Sequence, residues 1–250
     1  MVHFYPDEQY FDNPCILVNK LIHNLRSKAV LSPGLRVHFK NQLDGSEQTW
    51  FYEDGLSDYL KAALIDKETV CDALFKGSAQ ADQFAVDWAL NWVSEGRDFM
   101  CESYVNLIPT IAGGTHVNGA RSGLVDAIKE FCELRNLIPR GVKVTPDDVF
   151  DACSYVLSVK MAEPQFSGQT KERLTSRECA SFVSQHMKDA CSLWLNQHVQ
   201  NGEKIAQFVI EKAQSRLKSS KKVKRKKVHA GLQLPGKLTE CLSQDPASGE

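Results

Sequence analysis

Between residues 84 and 92, large apolar side chains fall on every second position: Val86, Trp88, Leu90 and Trp92, separated by Asp87, Ala89 and Asn91. A period of two over that length predicts a half-buried strand, so the fold has to be built around a sheet. The segments that follow alternate strand and helix signals. Glu95-Gly96-Arg97 reads as a turn into a second strand over 103–109. After the loop Gly113-Gly114-Thr115-His116, a helix is predicted with Leu124, Ala127, Ile128, Phe131 and Leu134 on one face. Thr145-Pro146-Asp147-Asp148 has the composition of a helix start, with a capping threonine, proline in the first turn and acids at the positive end. A third strand spans 154–160, and Thr175-Ser176-Arg177-Glu178 is a capping-box pattern opening a long helix to Val199. Asn201-Gly202 is expected to break it before a last helix carrying Ile205, Phe208, Val209 and Ala213.

The upstream part reads differently. Residues 2–5 look like the tail of a strand stopped by Pro6-Asp7. Leu17, Leu21, Leu25 and Ala29 recur every fourth position, which predicts an amphipathic helix within 13–31, ended by Ser32-Pro33-Gly34. Two short β-rich runs, 35–40 and 48–52, are joined through Asp44-Gly45 as a hairpin, and 55–64 is another helix. The polar, glycine- and serine-containing stretch 76–83 reads as a boundary. The whole is an α+β chain in two parts. It starts in mid-strand and stops in mid-loop, as a piece of a longer protein would.

Composition excludes several classes. Of 250 residues, 42% are hydrophobic and 24% charged, which is ordinary for a globular protein. The apolar runs are interrupted by polar residues such as Asp87 and Asn91, so no membrane span is predicted, and residues 1–4 do not open a secretory signal. The eight cysteines are never closer than twelve positions, which excludes a CxxC metal or redox motif and points to reduced, buried thiols in a cytoplasmic protein. Net charge is −1, yet residues 212–227 hold nine Lys or Arg and no acid, leaving −1 − 9 = −10 on the remainder. Such a distribution suits local contact with an anion rather than general coating of nucleic acid.

On residues alone the chemistry is thin. The loop Pro164-Gln165-Phe166-Ser167-Gly168-Gln169-Thr170-Lys171 offers a lysine and a glutamine that could reach a terminal phosphate, but a solvated surface loop is the plainer reading. Gly113-Gly114-Thr115-His116 could hold an anion on backbone N–H groups, yet it lacks the Gly-Lys-Ser/Thr ending of a P-loop, which favours a structural turn. His116 has no partner of its kind nearby in sequence and reads as structural, and no metal-ligand spacing or Ser/His/Asp order stands out. The basic run is either a phosphate-binding segment or a solvated helix end suited to the negative dipole.

The ordered strings are more specific. Ser103-Tyr-Val-Asn-Leu-Ile-Pro-Thr110, Gly113-Gly-Thr-His-Val-Asn-Gly119, Val156-Leu-Ser-Val-Lys160, Pro164-Gln-Phe-Ser-Gly-Gln-Thr-Lys171 and Leu234-Pro-Gly-Lys-Leu238 resemble, in the same order, the transducer region of bacterial type II DNA topoisomerase ATPase subunits. Val2-His-Phe-Tyr-Pro-Asp7 through Gly55-Leu-Ser-Asp-Tyr59 look like the end of the preceding nucleotide-binding domain. Glu130-Phe-Cys-Glu-Leu-Arg135 and Asn136-Leu-Ile-Pro-Arg-Gly141 resemble the topoisomerase IV branch more than gyrase, with the ATPase subunit of gyrase as the alternative.

That resemblance implies an α+β architecture. Residues 1–80 would be the C-terminal part of a GHKL ATPase domain. Residues 81–228 would be a transducer domain like the second domain of ribosomal protein S5, a sheet covered on one face by helices, with long C-terminal helices. Residues 229–250 would lead toward a TOPRIM domain. It further implies that Lys171 and Gln169 meet the ATP γ-phosphate, and that Arg121 and the basic residues Lys221, Lys222, Lys224, Arg225, Lys226 and Lys227 face DNA. The family's catalytic glutamate, magnesium-binding asparagine, Asp-Gly-x-Gly turn, glycine-rich lid and Glu-Gly-Asp motif are not found, so ATP and Mg2+ are expected to bind only the complete subunit. No catalytic or metal-binding residue is assigned to this chain, which alone is expected to be inactive. The implied partners are DNA, the DNA-cleaving A subunit and a second ATPase subunit on ATP binding, and the implied place is the cytoplasm, at the nucleoid. A different class, a nucleotide-free adapter binding DNA or a partner through the basic helix, is the other alternative.

Overall fold

The computed structural model describes residues 2–229 apart from 4, 12, 14, 95, 97 and 98, and for 220–229 it describes the backbone alone. The first helix, α1 (Val18–Leu31), lies within the predicted 13–31 and starts one position after Leu17, the first residue of the apolar spacing. Before it, the Asn13 side chain accepts the Cys15 N–H at 2.9 Å, a local turn that competes with helix. Only the C-terminal end of α1 enters the core, through Ala29, Val30 and Leu31, and Leu17 is exposed. Residues 2, 3 and 5 form no strand. Strands β1 (Arg36–Lys40) and β2 (Glu47–Phe51) pair antiparallel as a separate hairpin, and α2 (Leu56–Ala63) buries Leu56, Tyr59 and Leu60.

The remaining strands form one five-stranded sheet in the order β3-β4-β7-β5-β6. Its edge strand β3 (Phe75–Ala81) occupies the stretch that the sequence marks as a boundary. Polar Lys76, Ser78 and Gln80 face outward while Phe75, Gly77 and Ala79 face in, and all seven residues pair with β4 (Phe84–Trp92). What reads as a single strand over 103–109 is a hairpin. Strand β5 (Cys101–Val105) turns through Asn106 and Leu107, both at positive φ, into the two-residue β6 (Ile108–Pro109). Strand β7 (Cys153–Met161) inserts between β4 and β5, antiparallel to the first and parallel to the second.

Helices cover both faces of this sheet. One face carries α3 (Thr115–Leu134), α5 (Arg177–Gln197) and α6 (Val199–His229), packed over Trp88, Leu90, Trp92 and Leu157. On the other face, α1 and α2 cover Ala89, Tyr104 and Val156. This corrects two expectations: the sheet is not bare on its second face, and β4 is buried on both sides rather than half-buried. Asn91 tolerates that burial because its Nδ2 donates to Cys71 O at 2.8 Å and its Oδ1 accepts the Trp92 N–H.

Three local signals also resolve differently. Leu124, Ala127, Ile128 and Phe131 form the buried stripe of α3, but Leu134 is exposed. The hydroxyl of Ser176, before α5, does not cap the helix; it accepts the Gln165 N–H at 2.9 Å. The chain breaks at His198, and Asn201-Gly202 lies inside α6, where Gly202 admits the Phe131 ring. The short α4 (Pro146–Phe150) starts as its composition indicates, with the Thr145 N–H and hydroxyl both donating to the Asp148 carboxylate. Among the described residues the cysteines are free thiols; Cys71, Cys132, Cys153, Cys179 and Cys191 are buried, and Cys15 and Cys101 are not.

Candidate functional site

The loop between β7 and α5 is closed at its base and open at its tip. Thr175 N donates to Gln165 O at 2.8 Å, and Ser167 N to Arg173 O at 3.0 Å, around a β-bridge between Phe166 and Leu174. At the tip, Lys171 N donates to Gly168 O at 3.1 Å, which closes a turn with Gln169 and Thr170 at its corner. Lys171 leaves that turn at φ +57, a left-handed conformation that costs a non-glycine residue about 1 kcal/mol or more. Both Lys171 and Gln169 are exposed, and among the described residues the lysine ammonium has no hydrogen bond or ion pair.

The second glycine-bearing loop lies directly against the first. Leu174 N donates to Gly113 O and Thr115 N to Leu174 O, each at 3.1 Å, and Ala112 N donates to Glu172 O at 3.0 Å. The two loops are therefore wired together at the start of α3, a relationship that neither loop's own sequence reveals. Beneath them, Thr110 Oγ1 donates to Ser103 O at 2.9 Å and stands 3.1 Å from His116 Nε2. With the threonine proton committed to Ser103, the network assigns the imidazole proton to Nε2, leaving Nδ1 as an acceptor with no partner among the described residues. Burial pushes the His116 pKa down from 6.5 to about 4, so the ring is neutral near pH 7.

The other candidates are not gathered there. Arg121, on α3, pairs with Asp147 on α4, and its guanidinium carbon lies 5.5 Å from the centre of the Phe150 ring. Lys221, Lys222, Lys224, Arg225, Lys226 and Lys227 lie on α6 beyond the residues whose side chains are described, and residues 230–250 lie outside the described part altogether. An open groove of about 630 Å³ beside the base of the loop is lined by Phe84, Met161, Gln165, Ser176, Arg177 and Glu178, without Lys171 or Gln169. Among the described residues no three His, Cys, Asp or Glu side chains are close enough to hold a metal ion. No described helix is long and apolar enough to cross a membrane.

The turn thus presents a cation and an amide on a rigid mount, suited to donate to an anionic oxygen and unable by itself to hold a base or a metal. Comparison with known proteins places the chain among relatives of one kind. Over 244 residues the chain is 56% identical to the B subunit of DNA topoisomerase 4 from Salmonella typhimurium, covering 98% of this chain and 39% of that protein. It is 53% identical over 249 residues to the B subunit of DNA topoisomerase 4 from Pseudomonas aeruginosa, covering 100% and 40% respectively. The chain therefore spans about two fifths of the length of these relatives. A solved structure of the topoisomerase IV ATP binding domain of Francisella tularensis, in complex with a small-molecule inhibitor, superposes with a TM-score of 0.72 at 34% identity, covering 85% of this chain and 57% of that one. Residues 55–225 match the sequence profile of DNA gyrase B, and with these relatives the match establishes that the chain belongs to the DNA gyrase B family.

Proposed function

We propose that this chain is the coupling part of the ATP-hydrolysing B subunit of a type II DNA topoisomerase of the topoisomerase IV kind. It transmits nucleotide binding and hydrolysis to DNA strand passage, decatenation and relaxation. Residues 1–80, except for β3, which pairs into the sheet, complete the ATPase domain, residues 81–228 form the transducer, and 229–250 lead toward the DNA-cleaving machinery. Lys171 and Gln169 donate to the γ-phosphate of ATP held by residues outside this chain. The observation that carries this reading is the Lys171 ammonium, unpaired among the described residues, at the tip of a strained turn in a chain of this family.

The donor set fits a phosphate contact. Lysine brings a mobile positive charge and glutamine a neutral N–H, and both neighbouring backbone segments are already bonded and cannot collapse onto them. ATP supplies the phosphoanhydride whose cleavage drives the cycle. No residue here is assigned to its Mg2+. The Lys171 turn follows the phosphate while the sheet and helices behind it move as rigid bodies. Partners are DNA, the A subunit and, on nucleotide binding, a second copy of the ATPase subunit, in the cytoplasm at the nucleoid. DNA faces Arg121, whose charge is partly matched by Asp147, and the basic end of α6.

The test is Lys171→Ala in the complete subunit assembled with its A subunit. Loss of one charged contact to a reacting phosphate should lower ATP-dependent decatenation about a hundredfold or more. Decatenation at the unaltered rate would overturn the assignment. Exchange of A subunits between topoisomerase IV and gyrase separates those two identities. Submicromolar DNA binding by the chain alone, with a salt slope that falls when the basic end of α6 is neutralised, would favour an adapter instead.

A further inference from the structure

We propose that Gly114 is the positioning residue for Lys171: it lets the Leu174 backbone lie directly against its own, tying the 168–171 turn to the start of α3. This rests on the reading of Lys171 as a phosphate contact.

The contact excludes a side chain. A Cβ on Gly114 would stand 2.4 Å from Leu174 O and 2.5 Å from Leu174 N, and these backbone atoms cannot swing aside as a flexible side chain would. Gly114 also sits at φ +140, where L residues are strained. On either side of that contact run the three bonds from Ala112, Thr115 and Leu174. The Leu174 side chain is buried in the main core, so its segment is not free to slide away. From this anchor to Lys171 the backbone is held throughout: Arg173 O by Ser167 N, Glu172 O by Ala112 N, and Lys171 N by Gly168 O. The place of the Lys171 backbone, from which the ammonium reaches out, is thereby set from Gly114. Motion of the turn passes into α3 and, through Thr175 and Ser176, into α5, which starts at Arg177.

The test measures steady-state ATP turnover and the unfolding midpoint of Gly114→Ala, Thr115→Pro and Lys171→Ala, each in the complete subunit with its A subunit. Gly114→Ala displaces the turn, so kcat falls about a hundredfold while KM for ATP stays within about threefold, because the groups that hold the nucleotide base lie elsewhere. Thr115→Pro covers the case in which Gly114→Ala does not fold. Proline suits the first position of a helix, so α3 keeps its start, but the Thr115 N–H to Leu174 O bond is lost. A kcat about tenfold lower, with KM kept, is expected. If Thr115→Pro turns over at the unaltered rate while Lys171→Ala is inactive, the positioning role is wrong and the Lys171 reading stands. If kcat, KM and the unfolding midpoint deteriorate together in both glycine-loop variants, Gly114 is only structural and the proposal fails. If Lys171→Ala turns over normally, the phosphate reading itself fails and takes this inference with it.

Discussion

Arg216 on α6 forks onto Asp148 at the start of α4, its Nε meeting Oδ1 and its Nη2 meeting Oδ2, both at 2.9 Å. The same Nη2 donates to Lys143 O at 2.8 Å, and Thr145 supplies two more donors to Oδ2. Burial pushes the Asp148 pKa up, but the bonds from Arg216 and Thr145 outweigh it and hold the carboxyl below its ordinary 3.8. This fork fixes the long α6 to the body of the domain. Arg216→Ala should lower the thermal unfolding midpoint, and Arg216→Lys should fall between, since lysine keeps the charge and loses the two-pronged geometry. A carboxylate with a depressed pKa stabilises the fold above its unfolded pKa and loses that contribution as pH falls through the folded one. The gap between Arg216→Ala and the parent chain should therefore narrow below about pH 4. A gap unchanged in acid would mean the fork does not act through the ionised carboxylate.

His116 acts in a higher window. Its folded pKa of about 4 lies below the ordinary 6.5, so protonation favours the unfolded chain. Its contribution is complete above about pH 6.5 and is lost as pH falls toward 4. Between pH 7 and pH 5 the loss should be about 2 kcal/mol. Replacement by glutamine, which offers an amide donor toward Thr110 and does not titrate, should remove most of that pH dependence. Chemical denaturation at the two pH values checks this, and an equal slope in both proteins would contradict it.

Glu102 ties α2 to the sheet face that α2 covers. Its Oε1 accepts the Tyr59 hydroxyl at 3.0 Å and its Oε2 the Tyr104 hydroxyl at 2.6 Å, so α2 is bonded to β5. Nearby, Arg26 of α1 donates to Tyr52 and lies 4.8 Å from the centre of the Tyr59 ring. Glu102→Gln keeps one acceptor and should cost about 1 kcal/mol. Glu102→Ala strands two phenol hydroxyls and should cost about 2–4 kcal/mol. A double-mutant cycle with Tyr104→Phe measures the coupling, and additive effects would show that the pair does not interact.

What the sequence displayed depended on whether the cause was local. The extent of strand β4 and its helix-packed face were legible, because Val86, Trp88, Leu90 and Trp92 record their own burial in a period of two, whereas the burial of Ala89 and Asn91 on the other side comes from distant packing. The stripe from Leu124 to Phe131 was legible for the same reason. Strand β3 was not: its weak alternation around Gly77 acquires meaning only from pairing with β4. Gly202 reads as a breaker because a glycine in a helix interior is locally unfavourable, whereas here the Phe131 ring occupies the space of its missing side chain. The Lys171 turn was visible through its resemblance to a family. Its mount was not, since nothing near Gly114 in the chain announces that Leu174, 60 positions later, lies against it.

The packing of α3 on α5 gives a prediction whose sign opposes helix propensity. A Cβ on Gly119 would stand 2.4 Å from Ala180 O, and one on Gly123 would stand 2.3 Å from Ser184 O, so the two helices touch backbone to backbone along this seam. In an isolated helix, Gly→Ala is favourable by about 1 kcal/mol. Here the added methyl has to push α5 away, at an overpacking cost of about 1–3 kcal/mol that also opens the contacts around Val183 and Met187. Gly119→Ala and Gly123→Ala should each destabilise the chain, and the pair should be worse than either. Ser122→Ala, on the exposed side of the same helix, should be neutral or slightly stabilising. Unfolding midpoints of the four variants decide it: if Gly123→Ala stabilises the chain as Ser122→Ala does, the helices have room to separate and the seam is not what holds them at this distance.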